Sequence, residues 1–214
     1  MPDLEKNSDL NLAARLITYI FQPLLMPTAV FWVVLFFIEG SSNLTDKGKS
    51  TVVGLVFVTT FVIPALTVIM FKVTKVIKDL HMKDRRERLM PFMFISIFYL
   101  IVSFMIEGQQ WMTPLLKVTF VAITTVVVVT NGITFRWKIS AHTAGVFGSL
   151  GFILALQRAF PSTNYLLWPL LVAIALCGAV SWARLYLHAH TPKEVLGGAL
   201  LGFVVCYGSI LLFA

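Results

Sequence analysis

A run of apolar stretches, each close to the length of a bilayer crossing and separated by short polar breaks, limits this chain to very few folds. A spanning helix needs about 20 apolar residues. Inside lipid every backbone N–H and C=O must be paired within the protein, which leaves helices or closed barrels. The runs here have about the length that spanning helices need. They read as Leu16–Ile38, Thr51–Phe71, Pro91–Ile106, Leu115–Ile133, Ser140–Leu156, Tyr165–Leu187 and Val195–Phe213. The expectation is an all-α polytopic transmembrane bundle of six to seven spanning helices. It forms a single membrane-embedded domain over residues 1–214, with no separate soluble part.

Composition agrees. Of 214 residues, 58% are hydrophobic and 13% charged, far from the roughly one-quarter charged residues of soluble domains. The polar N-terminus has no basic n-region and no cleavage site, so the first helix is expected to act as an uncleaved insertion signal. The net charge of +7 sits mostly in one loop between apolar runs. That distribution points to membrane lipids, orientation or a phosphate ligand, and away from nucleic acid. Cys177 and Cys206 lie inside apolar runs and read as reduced packing residues.

Prolines mark where these helices deviate. Pro23 and Pro27 predict a kink or late start in the first run, and Pro64 a kink in the second. Lys72, Lys75 and Lys78 are spaced for one face of a helix continuing out of the second run. The Pro91–Ile106 run is short enough to be either a span or partly re-entrant. Phe135–Lys138 reads as an interfacial belt, and several glycines allow close helix contact.

Chemistry concentrates at residues 183–198. An arginine, two histidines and a glutamate fall there between two apolar runs, and ionisable groups at membrane depth mark sites. Thr191, Pro192 and Glu194 read as N-cap, first helical residue and capping-box partner. His190 then sits just before a helix N-terminus, which favours an anion. A nucleophilic histidine beside an anion site suggests phosphoryl transfer. Ser140 reads similarly as an N-cap, with His142 in the following first turn.

These residues resemble the signatures of the type 2 phosphatidic acid phosphatase family. Arg184, His190 and Glu194 keep the spacing Ser-Arg, five residues, His, three residues, Asp, with Ala183 in place of the serine. Ile139-Ser140-Ala141-His142 is similar to Pro-Ser-Gly-His. Lys83 and Pro91 keep the ends of Lys, six residues, Arg-Pro, with Met90 where the arginine would be. The blocks at 83–91, 139–142 and 183–194 occur in the family's order. The resemblance implies a lipid phosphatase working through a phosphohistidine, with no cofactor and no metal. Its substrate would be a lipid phosphate of the phosphatidic acid, phosphatidylglycerol phosphate or polyprenyl diphosphate class.

By the same resemblance, His190 would be the nucleophile, Glu194 its orienting carboxylate and His142 the general acid. Arg184, Lys83, Arg85, Arg88, Ser140 and Ala141 would bind phosphate. The bland readings are a capping glutamate, a snorkelling Arg184, an interfacial His142 and a solvated basic loop. A His188-x-His190 metal cluster with Glu194 is the chemical rival, and it fits a helix end poorly. The rival of another class is a membrane protein that binds or transports anionic lipid without turnover.

Topology adds a constraint. Two runs separate the basic block from Ser140 and two more separate His142 from His190, so all three blocks return to one face. The family has six helices with its first two signatures in one loop, so the pair of runs between Lys83 and Ser140 is a departure. The positive-inside rule puts the signature face in the cytoplasm. The resemblance instead implies a bacterial cytoplasmic membrane protein, many relatives of which work at the outer face.

Overall fold

A computed structural model describes residues 8–77, 85–161 and 164–213, without the side chains of 85–88, 164 and 213. Lys78 and Lys83 fall outside the described residues, and Arg85 and Arg88 contribute backbone alone. Among the described residues the chain is helical, with no strand. In order the helices are α1 (Ser8–Ile20), α2 (Met26–Phe37), α3 (Asp46–Phe57), α4 (Ile63–Val73), α5 (Arg85–Glu107), α6 (Pro114–Thr134), α7 (Ala141–Ala159), α8 (Leu167–Tyr186) and α9 (Pro192–Phe213).

Among the described residues, six stretches are long and apolar enough to cross a membrane: Ser8–Phe37, Asp46–Val73, Leu89–Glu107, Pro114–Thr134, Leu167–Tyr186 and Pro192–Leu212. The first joins α1 and α2 through a 3-10 turn at Pro23–Leu25. The second joins α3 and α4 through a π-helical turn at Val58–Val62. The seventh long helix, α7, packs against α2, α6, α8 and α9 and carries His142, Thr143 and Ser149 along with three glycines. Its neighbours take the place of lipid, so it tolerates a composition that a lipid-facing helix could not.

The prolines act through the carbonyls they release. Pro64 has no N–H to offer the carbonyl of Thr60 one turn back. Tyr99 of α5 supplies the replacement, its buried hydroxyl donating to that carbonyl at 3.0 Å. The distortion takes the form of the π turn immediately before Pro64. Helix α5 runs unbroken from Arg85 through Pro91 to Glu107, without the internal break of a re-entrant segment, and its Leu89–Glu107 stretch is long and apolar enough to span. The buried Asn131 amide of α6 donates to the Phe92 carbonyl and the Ser96 hydroxyl of α5, tying these helices inside the membrane-spanning layer.

One expectation fails. The lysine row after the second run does not continue as a helical face. Helix α4 stops at Val73, and Lys75 takes φ 60° in the left-handed region. The N–H groups of Lys75 and Val76 turn back to the carbonyls of Lys72 and Phe71 at 3.1 and 2.9 Å, a Schellman closure that ends the helix.

The tightest pairing joins α7 and α9. They run parallel with a constant offset of 54 positions: Ser140 meets Glu194, Ala144 meets Gly198 and Gly148 meets Gly202. A Cβ on Gly202 would lie 2.0 Å from the Ala144 carbonyl oxygen, and one on Gly198 2.3 Å from that of Ser140. Small residues at four-residue spacing therefore let the two backbones touch. Larger side chains fill the rest of the core, where Phe120 of α6 packs edge-on to Phe31 and stacks with Tyr99.

Candidate active site

The site grows from the end of α8 and the starts of α7 and α9. Helix α8 closes with its own Schellman turn: Ala189 N–H donates to the Arg184 carbonyl at 3.1 Å and His188 N–H to that of Leu185 at 3.0 Å. Two residues later α9 opens on a complete capping box. Glu194 N–H donates to the Thr191 hydroxyl at 3.4 Å, and Thr191 N–H donates to Glu194 Oε2 at 3.0 Å.

The same Oε2 also lies 3.0 Å from His190 Nδ1. Capping and orienting are thus not alternatives, because one oxygen accepts from the backbone and from the ring. His190 Nδ1 lies in addition 3.2 Å from the Lys138 carbonyl. Both neighbours are acceptors, so Nδ1 carries the proton and the neutral ring keeps its lone pair on Nε2. The His190 side chain is 1% exposed and that of Glu194 14%, so water competes little for the pair.

The segment before α7 locks this loop in place. Lys138 Nζ donates to the Ala189 carbonyl at 3.1 Å, while Ser140 N–H donates to the Glu194 carbonyl at 3.2 Å. Thr143 Oγ1 reaches the Val195 carbonyl at 3.0 Å. The Trp137 ring lies against α9 so closely that a Cβ on Gly197 would come within 2.5 Å of it. The N-termini of α7 and α9 therefore stand side by side.

Of the residues singled out by sequence, Ser140 caps α7 by accepting from Thr143 N–H at 3.4 Å and is fully buried. Its N–H and hydroxyl are both engaged within the fold. Ala141 and His142 form the first turn of α7 and are half-buried. Arg184 sits in the last turn of α8, buried at 9% exposure, next to the fully buried Ala183. The structure brings the starts of α7 and α9 together at this end of the bundle, while Arg184 lies in the last turn of the neighbouring α8. Lys83 lies outside the described residues, and Arg85 and Arg88 begin α5 without described side chains.

A cavity of about 520 Å³ opens here, lined by Lys138, Leu185, His188, Ala189, His190, Thr191, Pro192 and Glu194; Ser140, Ala141, His142 and Arg184 are not among its lining residues. The sequence pointed to Lys138 as part of an interfacial belt and not as a partner of His190, because that contact is made by its carbonyl, which every residue type possesses. No group of three or more His, Cys, Asp or Glu side chains converges among the described residues, so His188, His190 and Glu194 do not form a ligand cluster.

Residues 131–214 match the family model of the PAP2 superfamily. The PAP2 match holds the end of α6 and all of α7, α8 and α9, hence the blocks around His142 and His190; it does not reach residues 83–91. This agrees with the resemblance drawn from those two blocks, and the PAP2 superfamily comprises phosphatase-type hydrolases that act on phosphate esters. Residues 131–214 are thus similar to this superfamily, within a chain whose six long apolar helices are those of a multi-pass membrane protein. No curated protein and no solved structure matches the chain.

Proposed function

We propose that this protein is an integral membrane lipid phosphatase that hydrolyses a lipid phosphomonoester or diphosphate through a phosphohistidine at His190. The observation that carries the reading is the double acceptor at His190 Nδ1, from Glu194 at 3.0 Å and the Lys138 carbonyl at 3.2 Å. That arrangement leaves Nε2 as the nucleophilic atom.

In the first step Nε2 attacks phosphorus and the bond to the lipid oxygen breaks, with His142 protonating the departing oxygen. The phosphorylated ring is cationic, and Glu194 stabilises it through Nδ1–H. In the second step His142 takes a proton from water as it attacks phosphorus. The P–N bond then breaks, returning His190 and releasing phosphate. Arg184 holds the equatorial oxygens with its planar fork, helped by the Ala141 N–H at the start of α7. Lys83, Arg85 and Arg88 are assigned to the outer part of the phosphate site on the resemblance alone. Every step uses protein groups, so no metal or cofactor is required. The position of the site at one end of the helical bundle suits a lipid entering sideways from the bilayer.

The test is phosphate release from phosphatidic acid by purified, detergent-solubilised protein. His190→Ala should lower turnover at least about a thousandfold while the protein still folds. Full activity in that variant refutes the mechanism. Vanadate should inhibit as a five-coordinate mimic, and a chelator should not. Activity lost to chelator and restored by added metal would instead favour a metal route.

A further inference from the structure

Among the described residues, two non-glycine residues have positive φ, His188 at 48° and Lys75 at 60°. Each occupies the left-handed position of a Schellman closure, one ending α8 and the other ending α4. Glycine is the relaxed choice there because it lacks a Cβ. The turn after α2, at the opposite end of the bundle, does use glycine: Gly40 has φ 73°. Both left-handed positions at the site end instead carry nitrogen-bearing side chains. Histidine tolerates this region better than most residues, yet glycine would still relieve the backbone. Strain retained beside a site points to a role for the side chain.

His188 lines the same cavity as His190, and the two differ in depth. His190 is buried at 6% exposure, whereas His188 is exposed. His190 therefore forms the floor and His188 the rim. At about 520 Å³ the cavity falls in the range that takes a ligand of many atoms.

We propose that His188 is a substrate-positioning residue, whose imidazole hydrogen-bonds an oxygen of the lipid headgroup outside the phosphoryl group held at His190. The inference rests on the lipid phosphate reading of the site. Lys138 lines the same cavity, and its ammonium donates to the Ala189 carbonyl at 3.1 Å, which holds that side chain against the loop, whereas His188 stands exposed at the mouth.

The experiment compares wild type, His188→Gly and His188→Asn in nanodiscs. It reads equilibrium binding of short-chain phosphatidic acid and of vanadate, the thermal midpoint and, where turnover is seen, KM and kcat. His188→Gly should keep or raise the thermal midpoint, because it relaxes the backbone. It should weaken phosphatidic acid binding, and raise KM, about tenfold, the loss of one hydrogen bond to a charged or polar group. Vanadate affinity should change less than threefold, since vanadate reaches only the floor. His188→Asn, which accepts the left-handed backbone and keeps a polar donor, should recover part of the binding.

Equal phosphatidic acid affinity in wild type and His188→Gly overturns the inference. So does a parallel loss of vanadate binding, or a lowered midpoint, either of which makes His188 a structural residue. A wild-type protein that binds phosphatidic acid with this His188 dependence but releases no phosphate removes the hydrolase reading and leaves the positioning role intact.

Discussion

At the residue scale the decisive group is Glu194, because one oxygen does two jobs. Oε2 accepts from Thr191 N–H and from His190 Nδ1. Glu194→Gln keeps an oxygen able to accept both bonds, so the thermal midpoint should stay within a few degrees of wild type. Without the negative charge the cationic ring is less stabilised, and phosphate release should fall about a hundredfold. Glu194→Ala loses the cap as well, which costs about 1 kcal/mol in addition and should show as a lower midpoint. Equal midpoints for the two variants would mean that the capping bond contributes nothing. Thr191, Pro192 and Glu194 could be read as a helix start because capping chemistry is local. The Lys138 carbonyl at His190 could not, since only the folded chain shows which main-chain oxygen meets a ring 52 positions away.

At the element scale, the seam between α7 and α9 has most to lose. A Cβ at Gly202 meets main chain, which cannot rotate away. Gly202→Ala should therefore destabilise by about 1–3 kcal/mol, the usual cost of overpacking. Gly178→Ala on α8 is the control, as nothing lies within 4 Å of its Cβ position. There the same change should be neutral or stabilise by up to about 1 kcal/mol. Thermal unfolding of both variants in one detergent decides the comparison. The sequence made the apolar runs and their approximate limits readable, because length and hydropathy are enough for a span. It could not show that α7 is the enclosed one. Its glycines announce close contact, but the partner depends on a register of 54 positions that no local pattern encodes. The lysines after α4 misled for a related reason. Their spacing matched a helix, yet the backbone had already turned left-handed at Lys75.

At the scale of the whole molecule, if α7 crosses together with the six candidate spans, the turn after α4, the segment before α7 and the loop before α9 share one face. That face then carries Lys72, Lys75, Arg136 and Lys138, against Lys47, Lys49, Lys117 and Arg158 toward the other. With the basic residues of 83–88 added from the sequence, we propose on the positive-inside rule that the site faces the cytoplasm. Single cysteines at Lys75 and Lys47, both exposed, in a background lacking Cys177 and Cys206, test this with an impermeant thiol reagent on intact spheroplasts. Position 47 should label and position 75 should not. The reverse pattern would put the site on the outer surface.

The small-residue seam also works as a gauge. With α7 and α9 parallel and in backbone contact from Ser140 down to Gly202, the gap between their first turns is set by seam thickness together with the Ser140–Glu194 and Thr143–Val195 hydrogen bonds. Gly202 lies ten residues into α9, about 15 Å from its start. Widening the seam there would splay the helix starts that carry His142 and follow His190, like a shim slipped under one jaw of a vice. Activity should therefore be sensitive to side-chain volume deep in the membrane, at a position that no substrate reaches.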